Sequence, residues 1–310
     1  MPDSRAGCSS GASADSASCN DHDRYDSSAA VATSAAAAAA VAPPSPLVPN
    51  APLPLPDICA RLHQHVSDFL AEADASDRLK RVRHQTRVSL GVIEQALDKY
   101  TLPELSLSYN GGKDCLVLLV LYLSALHSKG VLASPATSRQ PIQCVYIQAP
   151  DPFPEVENFV KSSAQAYSLS LATYAKSMKA AFADYLADKP RVKAIFVGTR
   201  RTDPHGEFLT HFDPTDHGWP DFMRIHPVID WHYVEIWTFI RHLRIPYCSL
   251  YDRGYTSLGG MSDTHPNPAL RRVTVSSRDN LEDSTAGGNP SYRPAYELIE
   301  DLEERLGRDK

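Results

Sequence analysis

Residues 105–126 read LSLSYNGGKDCLVLLVLYLSAL, and they begin an alternation of predicted strands and helices that continues over much of the chain. Leu105, Leu107 and Tyr109 alternate with polar residues, which predicts a short strand. A Gly-Gly turn follows, and residues 116–126 are apolar enough for a buried helix. A strand, a glycine turn and a helix in this order indicate the first unit of an α/β fold.

The same alternation continues downstream. Further strands are predicted at 142–149, 169–174 and 192–198, with helices at 155–167, 178–186 and around 233–240. Apolar residues at helical spacing predict two more helices between 57 and 97, and the stretch from 199 to Met223 is rich in turn residues. Strands joined by helical crossovers imply a doubly wound, mainly parallel sheet with helices on both faces.

The first 56 residues are rich in Ala, Ser, Asp and Pro and poor in large apolar side chains. We predict a disordered tail over 1–56 and a single catalytic domain over 57–310. The Ala-rich run 29–42 is too short and too weakly apolar to span a bilayer, and the aspartates of the tail argue against a mitochondrial presequence. We therefore expect no membrane association.

Charge and cysteine content exclude further classes. The chain has 310 residues with 31 Lys and Arg against 37 Asp and Glu, so it lacks the basic excess of a nucleic-acid-binding protein. Its six cysteines form no C-x-x-C pair and lie far apart, which suggests neither a zinc site nor a disulfide framework. This pattern fits a reducing compartment, and we expect a cytoplasmic location.

Ligands of an open parallel sheet bind outside the carboxyl ends of its strands. SYNGGKDC (108–115) lies there, and its two glycines let backbone N–H groups approach an anion ahead of a helix amino terminus. The stretch has neither P-loop nor dinucleotide-fold spacing. We interpret it as a phosphate cradle, the alternative being an ordinary helix start.

Two more stretches carry candidate chemistry. GTRRTDP (198–204) follows a predicted strand, so that its arginines would clamp phosphate oxygens and Asp203 would orient them or hold a metal; the alternative is a solvated loop. Farther on, Trp219 and Phe222 lie in a Pro- and Gly-rich loop beside Asp216 and Arg224, which suits a flat aromatic ligand.

Taken together with TDHGWPDFMRIHPVIDW (215–231), PYCSLYDRGYTSLGG (246–260) and YRPAYELIEDLEERLGR (292–308), these motifs resemble the FAD synthases of the fungal and animal type. That family belongs to the branch of the adenine nucleotide α-hydrolases that resembles phosphoadenosine phosphosulfate (PAPS) reductase. The resemblance implies a nucleotidyltransferase that moves AMP from ATP to the phosphate of FMN, releasing FAD and pyrophosphate, with Mg²⁺ as cofactor and apo-flavoproteins as eventual acceptors of FAD.

The resemblance also implies site residues. The catalytic set would be Asn110, Asp114, Arg200 and Asp203, with Asp114 as the metal ligand. ATP and pyrophosphate would be bound by Tyr109, Asn110, Gly111, Gly112, Lys113 and Arg200. FMN would be bound by Asp216, Trp219, Arg224, Arg305 and Arg308. The chain departs from the wider superfamily at Asn110 and Cys115, where Ser or Thr is usual.

Two alternatives stay open. A PAPS or APS reductase would need a redox cysteine, but Gly260 stands where the resemblance would place it. A non-catalytic flavin- or nucleotide-binding regulator would use many of the same residues. For the transferase no general base is required, because a phosphate monoester is largely ionised at pH 7 and the reaction needs alignment and charge stabilisation.

Overall fold

The computed structural model describes residues 53–73, 76–216, 218–272 and 291–309, all within one compact unit. Most of the predicted tail and all but Ser291 of the polar stretch 276–291 lie outside these residues. The first helix, α1, begins at Leu55, two residues before the start predicted for the catalytic domain.

The described residues form one six-stranded sheet in the order β3-β2-β1-β4-β6-β5. Its strands are β1 Leu105–Ser108, β2 Ile142–Ile147, β3 Leu169–Tyr174, β4 Ala194–Phe196, β5 Phe212–Pro214 and β6 Met223–Ile225. Neighbouring strands run parallel except β5, which pairs antiparallel with β6. The prediction of a mainly parallel, doubly wound sheet is confirmed.

The stretch predicted as turns up to Met223 also contains β5 and the first residue of β6. These strands have three residues each, FDP and MRI, and neither shows an alternation of apolar and polar residues long enough to be recognised. β6 forms by pairing with β4, where Ala194 and Phe196 stand in register with Met223 and Ile225, and β5 forms by pairing antiparallel with β6.

Helices cover both faces of the sheet. They are α1 Leu55–Ala71, α2 Asp77–Lys99, α3 Lys113–Ser128, α4 Pro135–Ser138, α5 Pro154–Ala166, α6 Met178–Asp188 and α7 Tyr233–His242. The larger core lies between one face and α1, α2, α3, α5 and α7, and every residue from Leu116 to Leu126 in α3 is buried. On the other face, α6 places Phe182 and Tyr185 against Val145 and Ile195.

Residues 291–309 form a carboxyl-terminal segment without α-helix. It contains two short 3₁₀ turns, Ala295–Glu297 and Asp301–Glu303, and Arg308 pairs with Thr264 through an isolated bridge. Among the helices of the described ranges, none has both the length and the apolarity that crossing a membrane requires.

Candidate active site

The strand order changes direction between β1 and β4, and this is where ligands of open α/β sheets bind. The loops that follow these two strands are the glycine turn (residues 109–113) and the arginine loop (residues 198–204). They lie close together, because a Cβ added to Gly198 would be 2.9 Å from the backbone nitrogen of Cys115, two residues after the glycine turn. The sheet thus brings the two predicted phosphate-binding stretches together.

The conformation of the glycine turn requires glycine at position 111. Gly111 has φ +72°, and a Cβ there would lie 2.9 Å from Cγ2 of Val160 in α5. The Asn110 side chain accepts a hydrogen bond from the Gly112 N–H at 2.9 Å. Tyr251, which sequence analysis did not identify, accepts one from the Lys113 N–H at 2.9 Å and so anchors the start of α3.

Six charged side chains meet behind this turn, and we call them the charge cluster: Lys113, Asp114, Arg200, Asp203, Asp301 and Glu304. The Asp114 carboxylate lies 2.9 Å from Lys113 Nζ and 2.7 Å from Arg200 Nε. Glu304 forms ion pairs with the same two cations. Two cations therefore face four carboxylates, so the formal charge of the cluster is −2.

Burial and charge oppose each other in this cluster. Burial lowers the pKa values of Lys113 and Arg200, but the carboxylates of Asp114 and Glu304 outweigh it and both pKa values are raised. Burial raises the pKa of Asp114, but Arg200 and Lys113 outweigh it and hold that pKa below its ordinary value. These three side chains are therefore charged at neutral pH.

The arginine loop is shaped by its own side chains. Asp203 accepts a hydrogen bond from the Arg200 N–H at 2.8 Å, which is a loop-forming role. Arg201 points to the surface, where it pairs with Asp230 at 2.7 Å and donates to the carbonyl oxygen of Glu207. The side chain of Arg200 is fully buried, so a substrate phosphate would reach its guanidinium only by replacing one of the carboxylates around it.

A cavity of about 440 Å³ adjoins the glycine turn, and we call it the aromatic pocket. Its wall includes five of the residues predicted to bind substrate: Tyr109, Asn110, Asp216, Trp219 and Arg224. Phe182 and Phe222 contact each other in the same wall, with their ring centroids 5.1 Å apart. Trp219 stays 38% exposed there, although Trp is usually well buried. The pocket suits a flat aromatic ring.

His226 is a pocket residue that sequence analysis did not select, because its spacing to other histidines has no ligand pattern. It is 1% exposed and lines the pocket beside Arg224. Burial, with a contribution from Arg224, lowers its pKa to about 4, so the imidazole is neutral at pH 7.

The predicted FMN-phosphate arginines lie on the carboxyl-terminal segment. Arg305 is exposed, whereas Arg308 pairs with Asp263 at 2.8 Å and packs its guanidinium against Gly259. Neither is among the residues that line the aromatic pocket. The same segment supplies Asp301 and Glu304 to the charge cluster, a role that its sequence did not reveal.

Within the described part of the chain, no three His, Cys, Asp or Glu side chains are arranged to hold a metal ion. Mg²⁺ is commonly held by one or two carboxylates together with substrate phosphates and waters. The donor set therefore fits a magnesium ion bound mainly by substrate phosphates, with Asp114, 17% exposed beside the glycine turn, as the protein carboxylate.

The chain matches one protein-family model and is similar to FAD synthases of two yeasts. Residues 104–191 and 174–266 match the phosphoadenosine phosphosulfate reductase domain. The chain is 40% identical over 255 residues to a probable FAD synthase of Schizosaccharomyces pombe, covering 82% of this chain and 89% of that one. It is 34% identical over 251 residues to the flavin adenine dinucleotide synthase of Saccharomyces cerevisiae, covering 67% and 82%.

Solved structures agree with these relatives. A crystal structure of Candida glabrata FMN adenylyltransferase, with FAD and inorganic pyrophosphate, superposes with a TM-score of 0.75 at 32% identity and covers 84% of this chain and 99% of that one. A second structure of that protein, with FMN and an ATP analogue, has a TM-score of 0.73 at 32% identity and covers 83% and 100%.

Proposed function

This chain belongs to the FAD synthases of the PAPS-reductase domain family, and from that premise we propose that it transfers AMP from ATP to FMN, giving FAD and pyrophosphate. Members of this family are nucleotidyltransferases, and this chain is one. One observation carries the proposal. Tyr109 and Asn110 belong to the glycine turn and also line the aromatic pocket. A phosphate site thus adjoins a site for a flat ring.

On the donor side, the glycine turn would hold the β- and γ-phosphates of ATP. Gly111 and Gly112 leave the backbone open to phosphate oxygens, and the amino end of α3 adds partial positive charge. Lys113 and Arg200 lie directly behind the turn and would offset the charge that develops on the leaving pyrophosphate. Asp203 would keep the arginine loop in shape.

Magnesium, when bound, would neutralise part of the negative charge of the ATP phosphates. We propose Asp114 as its protein ligand, directly or through water. The Asp114 carboxylate would then exchange part of its contact with Lys113 and Arg200 for the ion.

On the acceptor side, the aromatic pocket would take the isoalloxazine ring of FMN against Trp219, with Asp216 and Arg224 at its polar edge. Arg305 and Arg308 would hold the FMN phosphate. This phosphate is already ionised at neutral pH, so its oxygen attacks the α-phosphorus in line without a general base. The FAD product would pass to apo-flavoproteins.

In the reductase alternative, a redox cysteine would stand at Gly260, and the Asp151 carboxylate would have to move to admit its side chain. A Cβ at Gly260 would lie 2.1 Å from Oδ1 of Asp151, where the backbone forms a bridge with Pro152. Burial raises the pKa of the Cys115 thiol to about 12, so this cysteine is not an activated nucleophile either.

The test is incubation of the purified full-length chain with FMN, ATP and Mg²⁺, followed by chromatography for FAD and an assay for pyrophosphate. We expect both products in equal amounts, and neither with excess chelator or with riboflavin in place of FMN. Binding of FMN and ATP without turnover would support the regulator instead. Undiminished turnover in chelator would refute the magnesium requirement.

A further inference from the structure

Glu304 is a buried acid at the centre of the site that the proposed chemistry does not use. It is 5% exposed, and its two carboxylate oxygens divide between two partners. One oxygen pairs with Lys113 Nζ and the other with the guanidinium of Arg200. A buried carboxylate that contacts two cations at once is a costly arrangement unless each charge is compensated.

The backbone that carries Glu304 is held on two sides. Thr256 donates its hydroxyl to the Glu304 carbonyl oxygen at 2.6 Å, and Asn267 donates to the carbonyl oxygen of Glu303 at 2.7 Å. One turn earlier, Asp301 accepts the Tyr233 N–H at 2.6 Å. The carboxylate is therefore aimed by an anchored segment and does not have to be ordered by substrate.

Lys113 and Arg200 come from loops after different strands and repel each other, since the Arg200 charge opposes protonation of Lys113. In the described cluster, Asp114 and Glu304 are the carboxylates that contact both cations. If Asp114 turns towards magnesium, as the proposed function requires, Glu304 is left to hold the pair.

We propose that Glu304 is a positioning residue, which fixes Lys113 and Arg200 behind the glycine turn and limits the positive charge presented to pyrophosphate. This inference rests on the proposed function for its effect on turnover, but its effect on pyrophosphate binding does not need FMN. Arg305, the next residue, is exposed. With the arginine roles proposed above, one short segment would serve the ATP side through Glu304 and the FMN side through Arg305 and Arg308.

The test compares Glu304→Gln with Glu303→Gln, which removes the same charge from the adjacent residue outside the cluster. For Glu304→Gln we expect kcat for FAD formation to fall roughly ten- to a hundredfold, because the two cations lose their alignment. We expect inorganic pyrophosphate, measured by calorimetry without FMN, to bind about three- to tenfold more tightly, because a negative charge beside its site is gone. Glu303→Gln should leave both quantities unchanged.

Glu304→Asp keeps the charge but shortens its reach, and we expect a smaller loss of kcat with pyrophosphate affinity near that of the wild type. Weaker pyrophosphate binding in Glu304→Gln, with a lower melting temperature, would mean a purely structural residue and would overturn the proposal. Unchanged kcat would overturn it as well. If the wild type made no FAD but the predicted change in pyrophosphate affinity appeared, only the proposed function would fail.

Discussion

Asp114 illustrates how a single side chain depends on its neighbours. Burial opposes its negative charge, yet Arg200 and Lys113 keep the pKa of its carboxyl below the ordinary value of 3.8. Because the folded-state pKa is lowered, Asp114 stabilises the fold at every pH above the pKa of the unfolded chain. That contribution is lost as the pH falls through the lowered folded-state value.

We predict that Asp114→Asn forms FAD at least about a hundredfold more slowly and has a lower melting temperature at pH 7, because two buried cations lose a partner. The difference in melting temperature from the wild type should stay constant between pH 8 and pH 5 and shrink below about pH 4. Thermal denaturation across this range measures it. The exposed Asp221→Asn is the control, and a wild-type rate in Asp114→Asn would show that Asp114 only starts a helix.

Arg305 is exposed whereas Arg308 pairs with Asp263, so we expect different effects on stability when each is replaced. Arg305→Ala and Arg308→Ala should each raise the KM for FMN roughly ten- to a hundredfold through loss of a charge-assisted hydrogen bond, with the KM for ATP unchanged. Only Arg308→Ala should also lower the melting temperature, since it removes the cation that pairs with Asp263.

Steady-state kinetics with each substrate varied in turn checks this prediction. Arg191→Ala serves as the control. It removes an exposed positive charge just before β4, at the end where the parallel strands begin and away from the site. Equal rises in the KM values for ATP and FMN would indicate a general folding defect. No change in either KM would show that the two arginines have no role in binding FMN.

At the scale of elements, the junction between β1 and α3 is controlled by backbone geometry. Gly111 and Gly130 both have positive φ, at +72° and +63°. They differ in the space around them, because a Cβ at Gly111 meets Val160 while a Cβ at Gly130 has nothing within 4 Å. The pair separates the cost of the conformation from the cost of contact with α5.

We predict that Gly111→Ala lowers the melting temperature more than Gly130→Ala does and strongly reduces FAD formation, because α5 and the glycine turn must move apart. Gly130→Ala should cost about 1 kcal/mol from its conformation alone and retain wild-type turnover. Denaturant titrations and rate measurements on both variants decide this. Equal activity in the two would mean that the shape of the turn does not matter for phosphate binding.

At the scale of the whole molecule, α1 belongs to the core although it precedes the first strand by more than thirty residues. Its apolar side packs on α3, with Leu55, Ile58, Cys59 and Leu62 at most 5% exposed. The folded core therefore includes α1, and the sequence before it holds few large apolar side chains.

We predict that deletion of residues 1–52 leaves the melting temperature and FAD formation unchanged. Deletion of residues 1–62 should lower the melting temperature sharply, because it removes four buried side chains from the surface of α3. Calorimetry and rate assays on the two truncated chains test this. A clear drop in either quantity for the shorter deletion would show that the tail contributes to the folded protein.

Several features of this protein follow from the sequence by itself. The strand, glycine turn and helix at 105–126 are encoded in contiguous residues, because alternation, helical spacing and glycine act over a few positions along the backbone. The alternation of strands and helices then predicts a mainly parallel sheet with right-handed crossovers, which puts the glycine turn and the arginine loop at the same end of the strands. The Pro- and Gly-rich loop predicts a site for a flat ring from its own aromatic residues, and Trp219 and Phe222 do line the aromatic pocket.

Only the tertiary structure decided which charges meet behind the glycine turn. Glu304 lies 191 positions from Lys113 and 104 from Arg200 along the chain, and nothing in the run of acids at 300–304 distinguishes it from Glu303. The three-residue strands β5 and β6 likewise exist only through their neighbours. Pairing between distant residues depends on where the sheet order and the anchored carboxyl-terminal segment place them, and no local periodicity carries that information.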